Sequence, residues 1–466
     1  MGVIITSLLA TVSFGLLQIA DAAVLPTDLL QDPSPDEWRE LAKYGGTLTR
    51  DQFEERLKDV FDPGLNLAPF LTITDRELSV FSSADRKVLL ATIPFSTAAP
   101  TSATSSSSTP SPPIFTHEES GAPLAGLRVV VDPADIGGRW GAIEDRSSYY
   151  KGYGWIQEGD LNLNVSRVLE MRLRQLGAEV FVTRDRTEPV SGLSVADVAP
   201  IVPKVLSEHS YILSASFHAR TRNVRKSDPI YQRIVADILL TKNLEARSRA
   251  ANARQTMHPD ITIILQFDAT SASRVQRLAS TNRNILFVEG AYTATELTSD
   301  PRQRLRLLTK LLQNVTPTEE RVALAISSRL KEMTGFPPVL YGNSKTTRAI
   351  AGSPYVVARN LLLNREHDGP VVVTEPYFMN QPVTLQRLIA GDYVGLKMIG
   401  GQQRPSIYHE YAEAVAQGLV DAYRSQPLPL HPESRPPLPL AAKPSGAPTP
   451  SQGGVTPSGT NPHLPL

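Results

Sequence analysis

Four acidic residues occupy positions at which a protein of alternating strands and helices carries chemistry. Asp135, Asp268 and Glu375 each follow an apolar run rich in β-branched residues, and Glu158 opens a stretch with apolar residues at helical spacing. Ligands bind to open α/β sheets where strands end and loops begin. Carboxylates that come together at such an edge repel one another, so a proton or a cation must lie between them. A divalent cation is the simpler account, since carboxylate oxygens suit Mg²⁺, Ca²⁺ or Mn²⁺ and are also accepted by Zn²⁺.

The segment 127–185 contains the elements that position the first two of these residues. The run 127–131 predicts a buried strand that ends at Asp132-Pro133, and apolar residues at helical spacing predict a helix that begins at Glu158. The run 180–182 predicts a second strand, which ends in Thr183-Arg184-Asp185. A strand, a helix and a strand in this order form a βαβ unit, in which the two strands are parallel.

Further apolar runs extend this unit into a larger sheet. More elements are predicted along the chain, with strands at 261–269, 285–288 and 370–375 and helices at 301–313, 318–333 and 408–423. The sequence therefore predicts an α/β domain with an open, mostly parallel sheet flanked by helices, preceded by a small α+β module.

The order of these motifs resembles that of the zinc-dependent N-acetylmuramoyl-L-alanine amidases of the amidase-3 type, which hydrolyse bacterial cell walls. That family has a strand ending in Asp-Pro-Gly-His-Gly-Gly, a Glu at the start of a long helix and a strand ending in Thr-Arg-Asp. Here Asp132-Pro133, Glu158 and Thr183-Arg184-Asp185 match these motifs. The family's Arg followed by Ala-Asn is matched within 247–252, and its Glu-x-x-Phe-x-Asn is matched within 375–380.

The resemblance implies a role for each matched residue. It implies a metal site formed by Asp135, Glu158 and Asp268, with zinc as the family's metal, and it makes Glu375 the catalytic acid-base. Two of the family's metal ligands are histidines, and both positions are Asp in this chain, which keeps a metal-ligating oxygen at each. Substrate contacts are implied for three further polar residues, Arg184, Asn252 and Asn380.

His218 offers a substitute ligand. The segment 211–219 also resembles the family's strand that ends in a zinc-binding His, and it keeps that His. No Arg followed by Ala-Asn precedes this segment, whereas that pattern precedes Asp268. His218 is therefore an alternative metal ligand. It would enter the site from the insertion and replace one of the two lost histidines.

Two functions follow, depending on whether a metal is bound. With a divalent metal, the resemblance implies hydrolysis of the amide between N-acetylmuramic acid and L-alanine of peptidoglycan, by metal-activated water with Glu375 as acid-base. Without one, the chain is a catalytically inactive amidase-like protein that binds peptidoglycan or regulates another hydrolase. Its Asp residues are then solvated or paired with arginines such as Arg139 or Arg184. A metal-dependent hydrolase with a different substrate is a third, weaker reading.

Composition divides the chain into five parts. They are a signal peptide at 1–22, a small α+β module at 25–95, a Ser/Thr/Pro linker at 96–124, an amidase-like domain at 125–425 and a Pro-rich tail at 426–466. An apolar stretch followed by Ala20-Asp21-Ala22 is typical of a secretory signal. The linker and the tail contain too few apolar residues to fold. An insertion around 189–243 interrupts the family-like order within the domain.

Charge and cysteine content exclude several classes of function. The chain has 47 basic and 47 acidic residues, which gives no bulk attraction to nucleic acid. It has no cysteine, so disulfides, thiolate metal sites and a cysteine nucleophile are excluded. No apolar run after the signal is long enough to span a bilayer. We therefore expect an exported protein of the periplasm or cell envelope, whose partners are peptidoglycan and, as a candidate, a regulatory protein.

Overall fold

The computed structural model describes residues 31–97, 122–144, 146–208, 229–254, 259–269, 278–350 and 352–424. These residues belong to one unit, Met1–Pro429. The predicted signal peptide, the Pro-rich tail and most of the predicted linker lie outside the described residues, as does His218.

The strands fall where apolar runs predict them, with a few short additions. They are β1 (Leu71–Ile73), β2 (Glu77–Phe81), β3 (Leu89–Pro94), β4 (Arg128–Pro133), β5 (Ser147–Tyr150), β6 (Gly154–Gln157), β7 (Glu179–Val182), β8 (Ile261–Leu265), β9 (Ile285–Val288), β10 (Thr347–Ala349), β11 (Val356–Arg359), β12 (Val371–Glu375), β13 (Lys397–Ile399) and β14 (Gln402–Arg404).

The helices include every long helix that the periodicity predicts. They are α1 (Pro35–Arg39), α2 (Arg50–Arg56), α3 (Glu158–Gln175), α4 (Val195–Val198), α5 (Val202–Glu208), α6 (Pro229–Arg254), α7 (Ala294–Ser299), α8 (Pro301–Leu312), α9 (Thr316–Thr334), α10 (Leu362–Glu366), α11 (Pro382–Ile389) and α12 (Ile407–Tyr423).

Seven strands form the central sheet in the order β10–β11–β9–β12–β8–β4–β7. Four of its six neighbouring pairs are parallel, whereas β12–β9 and β10–β11 are antiparallel. The predicted α/β class, with a mostly parallel sheet flanked by helices, is confirmed. Because β12, β8 and β4 are adjacent and parallel, their carboxyl ends meet at one edge of the sheet.

Both faces of the sheet are covered, which explains why its strands read as continuous apolar runs. On one face, α3, α9 and α12 pack against the sheet, as in the contacts of Val165, Ile326 and Val415 with Val131 and Val372. On the other face, a second cluster includes Ile264, Phe287 and Val373. Each fully buried aliphatic side chain contributes roughly 1.5–3 kcal/mol, so this core fixes the strand ends at which the candidate site lies.

The N-terminal module folds as a small α+β unit, as predicted. An antiparallel sheet of β1, β2 and β3 packs with α1 and α2, and α2 begins with a capping box between Thr49 and Gln52. Its core does not end at the module, because Phe53 and Leu78 share one cluster with Leu307 and Leu311 of α8. The module is therefore packed onto the α/β domain through α8.

The insertion around 189–243 begins with an irregular segment at 189–194 and is helical in its other described residues. The apolar stretch 195–206 lies in α4, a 3-10 turn (Ala199–Ile201) and α5, and these pack against α6 through Val198, Val202 and Ile238. The strand predicted at 211–213 and the basic residues at 220–226 lie outside the described residues. No helix among the described residues is long and apolar enough to cross a membrane.

Candidate functional site

Asp132, at the end of β4, is the centre of a buried polar network. Its carboxylate forms an ion pair of 3.0 Å with Arg247 Nε, contacts His367 Nε2 at 2.9 Å and accepts a hydrogen bond from the Thr183 hydroxyl. Burial opposes its charge, but Arg247 and His367 more than compensate and hold the pKa of Asp132 below its ordinary value. Asp132, Thr183 and Arg247 each belong to a motif that resembles the amidases. Their contacts in this buried network stabilise the fold.

The loop after β4 brings Asp135 to the start of α3. Asp135 adopts a left-handed conformation, with φ of 59°, which Asp tolerates better than most residues. The loop lies so close to the helix that a Cβ atom on Gly159 would be 2.3 Å from the carbonyl oxygen of Ile136. Gly138 N–H donates to Asp160 at 2.9 Å. Glycine at 159 is therefore required for Asp135 to reach Glu158, the first residue of α3.

A β-hairpin formed by β5 and β6 places Arg146 beside Glu158. Ser147 pairs with Gln157 at the base of this hairpin, so the residues just before and just after it are neighbours. The backbone N–H of Glu158 donates to the carbonyl of Arg146 at 3.1 Å. The Arg146 guanidinium then faces both carboxyl groups, with Nη1 3.4 Å from Glu158 Oε2 and Nε 3.6 Å from Asp135 Oδ1.

The charges around Arg146 are strongly coupled. Glu158 and Asp135 raise the pKa of the Arg146 guanidinium above its ordinary value. Burial, followed by the charge of Asp135, raises the pKa of Glu158 well above its ordinary value. Glu144 accepts a hydrogen bond from Ile136 N–H at 2.7 Å, and burial raises its pKa to about 8.

Asp268 and Glu375 form a second pair of carboxyls at the same edge. The backbone of Asp268 pairs with the segment that follows β12, with Asp268 N–H donating to the Tyr377 carbonyl at 2.9 Å. Burial and the neighbouring Asp268 raise the pKa of Glu375 to about 8. Burial also raises the pKa of Asp268. Arg359, which lies over the Phe287 ring at 4.7 Å, opposes both pKa shifts, and Arg146 opposes them to a smaller extent.

One cavity of about 790 Å³ joins the two pairs. Asp135, Arg146, Glu158, Asp268 and Glu375 all line it, so the sheet edge gathers the four acidic residues that the sequence singled out. Its walls are completed by α6, by the segments around α7 and α8, and by the loop after β11. The cavity therefore has room for a peptide-sized ligand.

The side chains in this cavity do not fit a bound metal ion. Among the described residues, no group of three or more His, Asp or Glu side chains is arranged to hold one. Asp135 and Glu158 face the Arg146 guanidinium, and Asp268 Oδ1 accepts the N–H of Ala269 at 2.6 Å. A divalent cation needs several oxygens directed at one point, and a guanidinium at that point repels it. Arg146 lies beside both Asp135 and Glu158 and supplies a positive charge there.

The three residues expected to bind substrate have different surroundings. Arg184 is buried and donates to the carbonyls of Pro133, Ala134 and Gly159 at 2.7–3.1 Å, so it holds the loop after β4 against α3. Asn380 is buried and is not among the residues that line the cavity. Asn252 lies in α6, and nothing is described of its side chain.

Sequence reasoning missed two residues that line the cavity, Arg146 and Arg359, and also Glu144, which accepts a hydrogen bond from the loop after β4. None stands in a matched motif or at a predicted strand end. A usable signal existed for Arg146 alone. Carboxyls that are close in space need a positive charge nearby. Arg146 directly precedes a hairpin that returns the chain to Glu158, which makes it a candidate for that charge.

The raised pKa of Glu375 predicts how stability depends on pH. Between the unfolded pKa near 4.5 and the folded pKa of about 8, the unfolded chain loses the proton that the folded protein keeps, so this group makes stability fall as pH rises. We expect Glu375→Gln to flatten the fall in unfolding free energy between pH 5 and pH 8, measured by urea titration. The exposed Glu55→Gln serves as the control. An unchanged slope in Glu375→Gln would show that Glu375 ionises normally.

Comparisons with known proteins find only distant structural likeness. No protein-family model matches the chain. No curated protein matches its sequence either. Among solved structures, the amidase Ami1 from Mycobacterium smegmatis is 13% identical with a TM-score of 0.34, over 64% of this chain and 97% of Ami1. The CwlD amidase from Clostridioides difficile, solved in complex with the GerS lipoprotein, is 11% identical with a TM-score of 0.34, over 63% and 98% of the two chains.

A third similar structure is that of a longer protein. Cwp6 from Clostridium difficile is 14% identical with a TM-score of 0.32, and the match covers 64% of this chain but only 30% of Cwp6. The chain therefore spans less than a third of that relative. The low identities and TM-scores do not assign this chain to the zinc-dependent class of amidases that the sequence motifs resemble.

Proposed function

We propose that this chain is an amidase-like protein that binds peptidoglycan and does not hydrolyse it. One observation carries the proposal. The Arg146 guanidinium lies 3.4 Å from Glu158 and 3.6 Å from Asp135, at the place where the resemblance puts a catalytic metal. A fixed internal cation satisfies these carboxyls without a divalent ion. With a guanidinium beside these carboxyls, the chemistry that we assign to the site is recognition of a ligand.

The choice of peptidoglycan as ligand is supported by the motifs and by the cavity. The motifs that resemble the cell-wall amidases occur in the family's order, and several of them border the cavity. Its walls carry arginines as well as carboxyls, among them Arg146, Arg359, Asp268 and Glu375. Such a lining complements a short peptide that carries both amino and carboxyl groups, as peptidoglycan stem peptides do. The proposal includes export to the cell envelope through the predicted signal at 1–22.

A second candidate function is the amidase reaction itself, and one observation favours it. Glu375 lies on the cavity wall with a pKa of about 8, so near neutral pH it exists in both protonation states. A carboxyl poised in this way can take a proton from water and return it to a leaving amine. Hydrolysis of the amide between N-acetylmuramic acid and L-alanine would use Glu375 in these two steps.

A sedimentation assay with a chemical readout separates the two functions. Purified chain is incubated with peptidoglycan in zinc, manganese or EDTA, and both the pelleted protein and the newly released amino groups of L-alanine are measured. We expect pelleting in all three conditions and no new amino groups. Amino groups that appear with metal and vanish with EDTA and with Glu375→Gln would establish the amidase. Absence of pelleting would contradict peptidoglycan binding.

A further inference from the structure

The β5–β6 hairpin displays a pair of aromatic rings at the rim of the site. Tyr149 and Trp155 are directly opposite each other in the hairpin, with ring centroids 5.6 Å apart and an interplanar angle of 62°. Their exposed fractions are 45% and 67%, unusually high for such large apolar side chains. An exposed aromatic pair of this kind marks an interaction site more often than a lone surface residue does.

The other face of the hairpin holds these rings in place. Side chains alternate along a strand, and here Tyr150 and Ile156 point into the core that also contains Val131. Both are less than 10% exposed. The rings are therefore carried on a strand pair anchored to the sheet domain, so binding to them costs little conformational ordering.

The chemistry of the outward face indicates which ligand it suits. Within β5 and β6, the residues that share this face with the two rings are Ser147 and Gln157, which are neutral and polar, and the exposed Lys151 lies at the tip of the hairpin. Neutral hydrogen-bonding groups next to aromatic faces match a sugar, because the C–H groups of a pyranose stack on a ring while its hydroxyls and acetamido groups are hydrogen-bonded. Two rings are too small an area for a stable protein interface.

We propose that Tyr149 and Trp155 form a stacking platform for an N-acetylated glycan strand. The platform directly adjoins the cavity, because Arg146 precedes the hairpin and Glu158 follows it, and both line the cavity. A glycan on the platform thus runs beside a peptide in the cavity, which is the arrangement of peptidoglycan. This inference rests on the proposed function for the source of the glycan, and extends it by assigning a site for the sugar.

The test compares binding of the full chain to two insoluble polymers. Peptidoglycan contains both glycan and peptide, whereas chitin is a polymer of N-acetylglucosamine without peptide. We expect Trp155→Ala to weaken binding to both polymers about tenfold, measured as apparent Kd by pelleting. Trp155→Phe, which keeps an aromatic face, should stay within about threefold of the wild type. Met398→Ala serves as the matched control, because Met398 is 63% exposed on the other short hairpin.

Each outcome distinguishes the platform from the proposed function. Wild-type binding to peptidoglycan that is unchanged in Trp155→Ala overturns the platform and leaves the proposed function in place. Binding to chitin but not to peptidoglycan supports the platform and contradicts the proposed function. Binding to neither polymer overturns both. An equal loss of binding in Met398→Ala would show that exposed apolar side chains bind these polymers non-specifically, and would overturn the platform.

Discussion

Arg146→Ala is expected to destabilise the protein and to make its stability respond to divalent cations. The change removes the positive charge that faces both Asp135 and Glu158. Loss of one partner of a fully buried ion pair costs about 3–5 kcal/mol. Since 48% of the Arg146 side chain is exposed, water screens the carboxyls in part, and we expect a loss of about 1–2 kcal/mol.

The response of Arg146→Ala to divalent cations follows from the loss of the guanidinium beside Asp135 and Glu158. Zinc or manganese can then approach the oxygens of Asp135 and Glu158, and a ligand that binds only the folded state raises its stability. We expect millimolar manganese to raise the Tm of Arg146→Ala by roughly 3–6 °C and to leave the wild type unchanged, as measured by calorimetry against EDTA.

Two further variants sharpen this prediction. Arg146→Lys keeps the charge and should remain unresponsive to the metal. Arg139→Ala removes an exposed arginine of the same loop, whose guanidinium lies 5.4 Å from the Trp140 ring, and should behave as the wild type. A metal-dependent rise of equal size in the wild type would show that Arg146 does not hold the cation position.

Asp132→Ala is expected to cause the largest loss of stability among the site substitutions. It leaves the buried cation Arg247 without its ion pair and removes the partner of His367 and of the Thr183 hydroxyl. Removal of one partner from such a buried pair costs about 3–5 kcal/mol, a large fraction of the stability of most domains. We expect a protein that is recovered in low yield, or one that unfolds at much lower urea concentration than the wild type.

The pH dependence gives a second readout of the same network. The folded pKa of Asp132 is depressed, so its contribution is present above the unfolded value of about 3.9 and is lost as pH falls below it. Asp132→Asn should therefore remove part of the acid sensitivity below pH 4. Asp75→Ala breaks an exposed ion pair with Arg50 and should change stability by less than about 1 kcal/mol. Equal effects of the two alanine substitutions would contradict a structural role for Asp132.

The sheet and the positions of the four acidic residues were predictable because each depends on local sequence. Uninterrupted β-branched runs such as 371–373 indicate strands buried on both faces, and the polar residue that ends each run lies at the sheet edge. The structure confirms strands before Asp135, Asp268 and Glu375. It also confirms the helix that begins at Glu158.

The role of Arg146 was not predictable from those signals. The predicted partners for the carboxyls were Arg139 and Arg184, which stand nearer the recognised motifs. In the structure, Arg139 is exposed and Arg184 binds backbone carbonyls. The pairing with Arg146 depends on the β5–β6 hairpin, which sequence reasoning did not identify, because an antiparallel pair makes neighbours of the residues at its two ends.

Packing between residues that are far apart in the sequence was the other feature that could not be predicted. The strands of the N-terminal module follow from short apolar runs and turns, yet its shared core with α8 joins residues more than two hundred positions apart, such as Phe53 and Leu311. Asp132 is a similar case. Its pairing with His367 depends on where the loop before β12 returns to the sheet, and no local pattern encodes that contact.

Zinc titration of the wild-type chain by calorimetry is the most direct test of Arg146 as the resident cation. A guanidinium fixed beside Asp135 and Glu158 predicts no saturable zinc binding near neutral pH, in a protein shown to be folded by circular dichroism. One zinc ion per chain, bound with a Kd of about 1 μM or tighter and lost in Asp135→Ala, would contradict it. Such a result would restore the metal-dependent amidase as the function of this site.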